Sequence, residues 1–319
     1  MIRGWVAGAG GVQAAGLEQV HAALAAGDCS VWLDFEGSAA EEVHRALEPL
    51  GVHPLVLEDM VMQVNRPKVD DYGSYLYLVM HSARWDEHEK KPTLREIDMV
   101  LGEHALATYH DGETRSIVAA RDILARRPEL LSKGPAYLMH FLLDTMVDHY
   151  LPIMDRIAEE VDELEETVFE HDTPDVHTRI VRLKRGISAM RRIVGPQRDT
   201  ILALTRDEYR TVPAEIRPYL RDVYDRLARF TDLLDSFRDE VASLLDLHVS
   251  VTSNRMNDVI KRLTVIATIG LPLTVVTSYY GMNLKLPEYQ WEHGEWFVLG
   301  LLALTALGTW AYLRLRRWD

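Results

Sequence analysis

The chain of 319 residues carries a formal net charge of -14, and 26% of its residues are charged. This acidity argues against nucleic acid as a partner and favours cationic partners. The mean hydropathy of -0.12 is too low for a chain that is embedded in a membrane throughout. The single cysteine, Cys29, excludes an intramolecular disulfide framework and is compatible with a reducing cytoplasm.

Residues 1–134 are predicted to form an α/β domain. Stretches rich in β-branched and aromatic residues predict strands at Ser30–Phe35, at Tyr75–His81 and, around a turn at Gly102, within Glu96–His110. Helices are predicted near residues 16–26 and 39–50. The glycines at 8, 10 and 11 are similar to the start of a dinucleotide loop, but Gln13 replaces the third required glycine. We therefore predict no nucleotide site there.

Residues 135–262 are predicted to form a stalk of long helices. Apolar residues alternate at spacings of three and four, which is typical of a heptad seam, at Val147, Tyr150, Met154, Ile157, Val161, Leu164 and Val168. The outer face of this segment is acidic, whereas the segment after Pro174 is basic. Two interpretations stay open: an antiparallel hairpin with complementary charges, which we favour, and a surface that attracts cations.

A third helix is predicted to be long and uninterrupted. Neither proline nor glycine occurs from Tyr219 to Ile269. A second seam follows it through Leu220, Val223, Leu227, Phe230, Leu234, Phe237, Val241, Leu244, His248 and Val251. Such a seam predicts helix association, within one chain or between subunits. Because this helix continues into an apolar run, it is suited to transmit movement to the membrane.

Residues 263–319 are predicted to form a transmembrane hairpin. The uncharged runs Leu263–Tyr280 and Trp296–Leu313 are each long enough to cross most of a bilayer as a helix. Basic residues flank the hairpin at Lys261, Arg262, Arg314, Arg316 and Arg317, whereas the loop carries Lys285 against three glutamates. The positive-inside rule therefore places both termini in the cytoplasm.

A stripe of small and polar side chains follows the first span. Counting back from Gly281 at spacings of three and four selects Ser278, Thr274, Leu271, Ala267, Thr264, Ile260 and Asn257. A symmetric ring of such helices could enclose a pore. Close packing of helices is an equally good interpretation of the stripe alone.

The C-terminal residues resemble those of the CorA-type divalent-cation channels. The tripeptide Gly281-Met282-Asn283 lies between the two spans and is followed by Pro287-Glu288 and a basic tail. Further matches lie upstream at Arg221–Asp225 and at Arg66-Pro67-Lys68. The resemblance implies a homopentamer with an α/β cytoplasmic domain, a funnel of long helices and a pore lined by the first span. It also implies Mg²⁺ influx, often with Co²⁺ or Ni²⁺ accepted.

The resemblance assigns residues to the ion path. It makes Gly281, Met282 and Asn283 the selectivity loop, in which amide and carbonyl oxygens would bind a hydrated ion, since Mg²⁺ gives up its waters reluctantly. Ile260 and Leu271 would be hydrophobic constrictions, with Leu263 beside them. No cofactor is implied apart from transported and regulatory Mg²⁺, and no motif for enzyme chemistry occurs in the sequence.

The resemblance also implies a regulatory metal site between neighbouring subunits. The Arg-Asp-Val-Tyr-Asp match carries one ligand to Asp222, and we expect its partner from the loop after the Tyr75–His81 strand, at Asp86 or Glu87. Mg²⁺ bound there would hold the closed state. Two rival functions remain. One is a Zn²⁺, Co²⁺ or Ni²⁺ transporter of the same architecture, with or without coupling to protons. The other is a membrane-tethered structural or sensor protein whose hairpin is only an anchor. The predicted location is the inner cell membrane.

Overall fold

The structure is a computed structural model that describes residues 1–8, 11–169, 175–206, 208–282 and 287–315. Its contacts divide the chain into two compact units, Met1–Leu245 and Asp246–Asp319. The first unit contains a β-sheet together with the helices that pack on it. The domain boundaries at residues 134 and 262 stay predictions.

The first unit is built on a seven-stranded sheet with the order β2-β1-β3-β7-β6-β5-β4. The strands are β1 Ile2–Gly8, β2 Gly11–Ala15, β3 Ser30–Glu36, β4 Lys68–Asp71, β5 Tyr75–Asp86, β6 Lys91–Gly102 and β7 Ala105–His110. Strands β3 and β7 pair in parallel, and the other neighbours described here are antiparallel. The three predicted stretches correspond to β3, β5 and the β6–β7 hairpin. Gly11 begins a strand rather than a helix, which is not the context of a dinucleotide loop.

Helices cover both faces of the sheet. The helices of the described residues are α1 Leu17–Ala26, α2 Ala40–Leu47, α3 Pro54–Met62, α4 Arg115–Arg126, α5 Glu129–Ser132, α6 Pro135–Asp148, α7 Leu151–Phe169, α8 Val176–Arg206, α9 Arg217–Tyr280 and α10 Gly294–Leu315. Apolar side chains of α1, α2 and α3 share one buried core with alternate residues of the sheet. Helices α5, α6 and α8 contact the strands as a second layer. The unit is therefore an α/β/α sandwich, which confirms the predicted fold class.

The predicted seams are buried faces of helices. Every seam position from Val147 to Val168 is buried, and so is every position from Leu220 to Leu244 on α9. His248 and Val251, which continue the second seam, are only half-buried in the single chain. The first seam is interrupted between α6 and α7, because Pro152 fits the first turn of a helix but not its interior.

Ion pairs join the acidic and basic helices. Glu160 on α7 is buried and accepts a hydrogen bond of 2.7 Å from Arg179 on α8. Lys90, from the turn between β5 and β6, approaches the same carboxylate at 3.0 Å. These contacts support the interpretation that α7 and α8 are held together by complementary charges. They also fix the β5–β6 turn against α7.

A buried polar network joins β5, the residue that precedes α7, and α8. The Tyr150 hydroxyl donates to the backbone carbonyl of His81 at 2.5 Å. The Gln197 side chain donates to that hydroxyl at 2.8 Å and accepts from the His81 backbone amide at 2.6 Å. Gln197 follows Pro196, which lies inside α8. The network satisfies polar groups that water does not reach.

We expect Tyr150→Phe to destabilise the protein, because the substitution removes the hydroxyl and leaves buried groups of Gln197 and His81 short of a partner. The expected loss is about 1–3 kcal/mol in the free energy of unfolding. Urea titration of the full chain in detergent measures it. Tyr219→Phe is the control because Tyr219 is 61% exposed. Equal stability of the two variants would contradict the role of the network.

A second prediction concerns pH, because burial lowers the pKa of His81 to about 4. The unfolded chain binds a proton at this residue below about pH 6.5, whereas the folded chain does not until about pH 4, so acid favours unfolding. Neighbouring Glu96 and Asp98 oppose the effect, because burial raises the pKa of each carboxyl and the folded state takes up their protons first. Comparison with a His81 variant isolates the contribution of this histidine to the pH dependence of stability.

We expect His81→Gln to lose less stability between pH 7 and pH 5 than the wild type, by about 2 kcal/mol. Urea titrations of both proteins at the two pH values measure the difference. His88→Gln is the matched control, because the side chain of His88 is 94% exposed. If the free energy of unfolding has the same pH dependence in the wild type and in His81→Gln, then folding does not hinder the protonation of His81.

Candidate ion pathway and regulatory site

The predicted stripe lies along one continuous helix. Helix α9 extends from Arg217 to Tyr280 over 64 residues. Its stripe side chains are exposed in the single chain, except for Thr264, which is half-buried. Ile260 is 53% exposed and Leu271 is 72% exposed, which is unusual for aliphatic groups in the absence of lipid or a partner. The pore and packing interpretations both require such partners.

The helix keeps its own polar groups bonded within the apolar run. The hydroxyls of Thr264 and Thr274 donate to the backbone carbonyls of Ile260 and Gly270, at 2.8 and 2.9 Å. Pro272 lies inside the helix and has no amide to donate. Hydroxyl groups bonded to their own helix can face a lipid or a helix neighbour at little cost.

The predicted selectivity loop begins where α9 ends. The Gly281 amide donates to the Thr277 carbonyl at 2.9 Å, and the Met282 amide donates to the Tyr279 carbonyl at 3.3 Å. A Cβ atom at position 281 would lie 3.0 Å from the Thr277 carbonyl oxygen, so glycine fits this turn with least strain. Met282 is 53% exposed. Asn283 lies outside the described residues.

Among the residues that the structure describes, two helices are long and apolar enough to cross a membrane. Segments that end at Tyr280 and at Leu315 each contain an 18-residue window with a mean hydropathy of 1.7. In the single chain Leu313 is the one buried residue of α10, and the other residues of this helix are exposed or half-buried. Arg314 lies over the ring of Trp310, at 5.2 Å from its centroid, at the C-terminal end of α10. An aromatic ring and a basic group at a helix end are typical of a membrane interface.

Asp222 lies in a cluster of carboxylates around one arginine. The Arg226 guanidinium contacts Asp144 and Asp148 of α6 through its two terminal nitrogens. Its Nε lies 3.2 Å from the Asp222 carboxylate, but without hydrogen-bond geometry. We call Asp144, Asp148, Asp222 and Arg226 the Arg226 cluster. Asp144 and Asp148 were not predicted from the sequence, in which their only signal is a spacing of four residues on one helix.

Asp86 has different neighbours. It lies at the end of β5 and accepts hydrogen bonds from the backbone amides of His88 and Glu89, at 3.0 and 2.9 Å. These hydrogen bonds lower the pKa of the Asp86 carboxyl, and the bond from Glu89 has the larger effect. Adjacent Glu87 pairs with Arg156 of α7 at 3.4 Å. Of the two predicted ligands in this loop, Asp86 is thus the one whose carboxylate is fixed by hydrogen bonds within its own turn, whereas Glu87 pairs with another helix.

The residues that the structure describes contain no group of three His, Cys, Asp or Glu side chains arranged to hold a metal. In the Arg226 cluster, a guanidinium already lies among the carboxylates. The predicted ligands Asp222 and Asp86 lie on separate elements, with different partners in the chain. Their pairing across a subunit boundary stays a prediction.

An α/β/α unit, a helix that continues into an apolar segment, and a glycine-containing turn before a second apolar helix are together the features of a membrane-anchored protein with a large domain outside the bilayer. The family model of the CorA-like Mg²⁺ transporter protein matches residues 28–317. The chain belongs to this family, whose members transport Mg²⁺ and other divalent cations across membranes.

Individual relatives agree with this assignment. The chain is 33% identical to the cobalt/magnesium transport protein CorA of Thermotoga maritima, over 90% of this chain and 83% of that protein. It shares the fold of the CorA magnesium transporter from Methanocaldococcus jannaschii, with a TM-score of 0.86, 18% identity and coverage of 100% and 99% of the two chains. The full-length CmaX protein has the same fold, with a TM-score of 0.79, 21% identity and coverage of 99% and 97%.

Proposed function

We propose that the protein is a homopentameric magnesium channel that admits Mg²⁺ down the membrane potential and closes when cytoplasmic Mg²⁺ binds between subunits. The observation that carries this proposal is the continuity of α9. One helix bears Asp222 near its start, the stripe in its apolar part and Gly281 just after its end. A metal bound at Asp222 therefore acts on the same helix that would line the pore.

The pore would form from five copies of the stripe, because one helix cannot enclose a channel. Exposed Asn257, Ala267, Thr274 and Ser278 would give it a narrow, mostly polar wall. Ile260 and Leu271, with Leu263 beside them, would form apolar constrictions that exclude water in the closed state. Opening would require these rings to widen.

Selectivity would come from the loop at the other end of α9. Mg²⁺ keeps several of its waters when it binds to proteins. Carbonyl oxygens of Gly281 and amide oxygens of Asn283, repeated around a ring, would accept hydrogen bonds from the water shell. Met282 would shape the turn. Such a ring selects an ion by charge and hydrated size, without the cost of dehydration.

The driving force would be the membrane potential. A divalent cation that crosses an inside-negative membrane gains about 4.6 kcal/mol per 100 mV, which is twice the value for one charge. Lys261, Arg262 and Arg314 flank the apolar parts of the two spans. By the positive-inside rule these groups would favour an inner-membrane protein with both termini in the cytoplasm.

Regulation would use a cation bridge between Asp222 of one subunit and Asp86 of the next. Asp222 is 72% exposed at its side chain and is therefore accessible to a neighbour. Bound Mg²⁺ would neutralise carboxylates that otherwise repel one another across the boundary. Loss of Mg²⁺ from the cytoplasm would release the subunits and open the channel.

Ion uptake into proteoliposomes tests the proposal. Wild-type protein should take up Mg²⁺ when an inside-negative potential is imposed, without a pH gradient. The same vesicles are tested with Co²⁺, Ni²⁺ and Zn²⁺, with and without a pH gradient. Zn²⁺ uptake that requires a proton gradient would instead identify a proton-coupled carrier, and an absence of flux for every metal would indicate that the hairpin is an anchor.

A further inference from the structure

The arginine of the Arg226 cluster is fixed by α6 rather than by Asp222. Both terminal nitrogens of its guanidinium contact carboxylates of α6, at Asp144 and Asp148. The side chain of Arg226 is only 16% exposed, whereas that of Asp222 is 72% exposed. Asp222 is thus the most exposed of the three carboxylates, and the less exposed guanidinium of Arg226 lies next to it.

The charges of the cluster do not cancel. Three carboxylates face one guanidinium, which leaves a formal charge of -2. His140 lies nearby, and burial lowers the pKa of its imidazole, so it adds no positive charge at neutral pH. The remaining charge matches that of a divalent cation, but the guanidinium repels any cation that approaches Asp222.

We infer that Arg226 is a built-in competitor of the divalent cation, and that it sets the Mg²⁺ concentration at which the cytoplasmic site fills. The inference rests on the proposed function, since it concerns the site at Asp222. Without the guanidinium, Asp222 would bind Mg²⁺ more tightly and the channel would close at a lower concentration. With it, the site stays empty until cytoplasmic Mg²⁺ is abundant.

The alternative role for Arg226 is mechanical, because the same contacts tie α9 to α6. The two roles predict opposite results. If the arginine only holds the helices together, its loss loosens the site and weakens metal binding. If it competes with the metal, its loss strengthens metal binding even though one structural contact is gone.

The test measures the melting temperature of the full-length protein in detergent across a MgCl₂ series, because a ligand that binds the folded state stabilises it according to its occupancy. For Arg226→Gln we expect the Mg²⁺ midpoint to fall about tenfold, since one unit charge near a divalent ion has an effect of that order in a water-like dielectric. Arg226→Met removes the same charge and should give the same shift if the glutamine variant does not assemble.

Two controls separate charge from contact. Arg226→Lys keeps the charge and should stay within about twofold of the wild-type midpoint. Arg229→Gln removes a charge from the same helix at an exposed position, for which the described residues show no ion-pair partner, and should leave the midpoint unchanged. A midpoint for Arg226→Gln that is unchanged or higher than in the wild type would overturn the inference.

Failure of the proposed function is distinguished by Asp222→Asn in the same series. If Asp222→Asn raises the Mg²⁺ midpoint but Arg226→Gln does not lower it, the regulatory site stands and the role of Arg226 is refuted. If Asp222→Asn leaves the midpoint unchanged, the regulatory site itself is refuted, and the inference about Arg226 is refuted with it.

Discussion

Replacing Asn283 by alanine is expected to abolish Mg²⁺ uptake under an inside-negative potential. The substitution would remove one amide oxygen per subunit from the ring that accepts hydrogen bonds from the hydrated ion, and a methyl group offers none. Because the ion keeps its waters, the lost hydrogen bonds weaken binding of the hydrated ion and leave the metal's own coordination shell unchanged. We expect at least a hundredfold lower initial rate, since about 1–1.5 kcal/mol for each of several lost hydrogen bonds accumulates around the ring.

The measurement is Mg²⁺ entry into proteoliposomes that contain equal amounts of each protein. Gln290→Ala is the matched control, because Gln290 is an exposed amide in the short 3-10 helix Pro287–Gln290 that follows the loop. This variant should transport Mg²⁺ as the wild type does. Wild-type rates in Asn283→Ala would show that the amide of Asn283 does not select the ion.

Replacing Asp222 by asparagine should leave the channel open at cytoplasmic Mg²⁺ concentrations that close the wild type. The amide keeps the size of the side chain but removes the charge that would bind the metal at the proposed site. Asp222 is exposed and touches Arg226 only through Nε, so the substitution leaves the bonds of Arg226 to α6 in place. The concentration for half-maximal closure should rise about tenfold or more, as expected for the loss of one carboxylate ligand of a divalent ion.

Proteoliposomes that contain a series of internal Mg²⁺ concentrations measure this closure. The protein must have its cytoplasmic side facing the vesicle interior, and the uptake of Co²⁺ from outside is the readout. Asp225→Asn is the control, since Asp225 is an exposed carboxylate on the same helix that lies outside the cluster. Closure of Asp222→Asn at the wild-type concentration would contradict the cytoplasmic site and would leave the pore proposal unaffected.

The strands that the sequence predicted are those whose composition is unusual. The β3 segment SVWLDF and the β5 segment YLYLVMH are buried on both faces, so they are almost continuously apolar or aromatic. Strands β1, β2 and β4 were missed. Strand β2 lies at one edge of the sheet and β4 at the other, and neither contains a fully buried residue. Short, exposed edge strands carry little hydrophobic pattern.

The Arg226 cluster shows a different limit of sequence reasoning. Asp222 was selected through a family motif, but Asp144 and Asp148 belong to another helix 78 to 82 residues earlier in the chain than their partner Arg226. No local spacing connects these groups. Only the packing of α6 against the start of α9 brings them together, because ion pairs between distant segments depend on tertiary contacts.

The sequence alone determined the two membrane-length runs, the seams, the position of the Gly-Met-Asn loop and the family. Each depends on residue order along one helix or turn, where hydrophobic period and charge act locally. The tertiary structure decided which acidic side chains are paired with basic side chains of the same chain. It paired Glu160 with Arg179 and placed Arg226 among three carboxylates. Charge interactions act through space, so the electrostatics of the proposed regulatory site follow from the fold rather than from the order of residues.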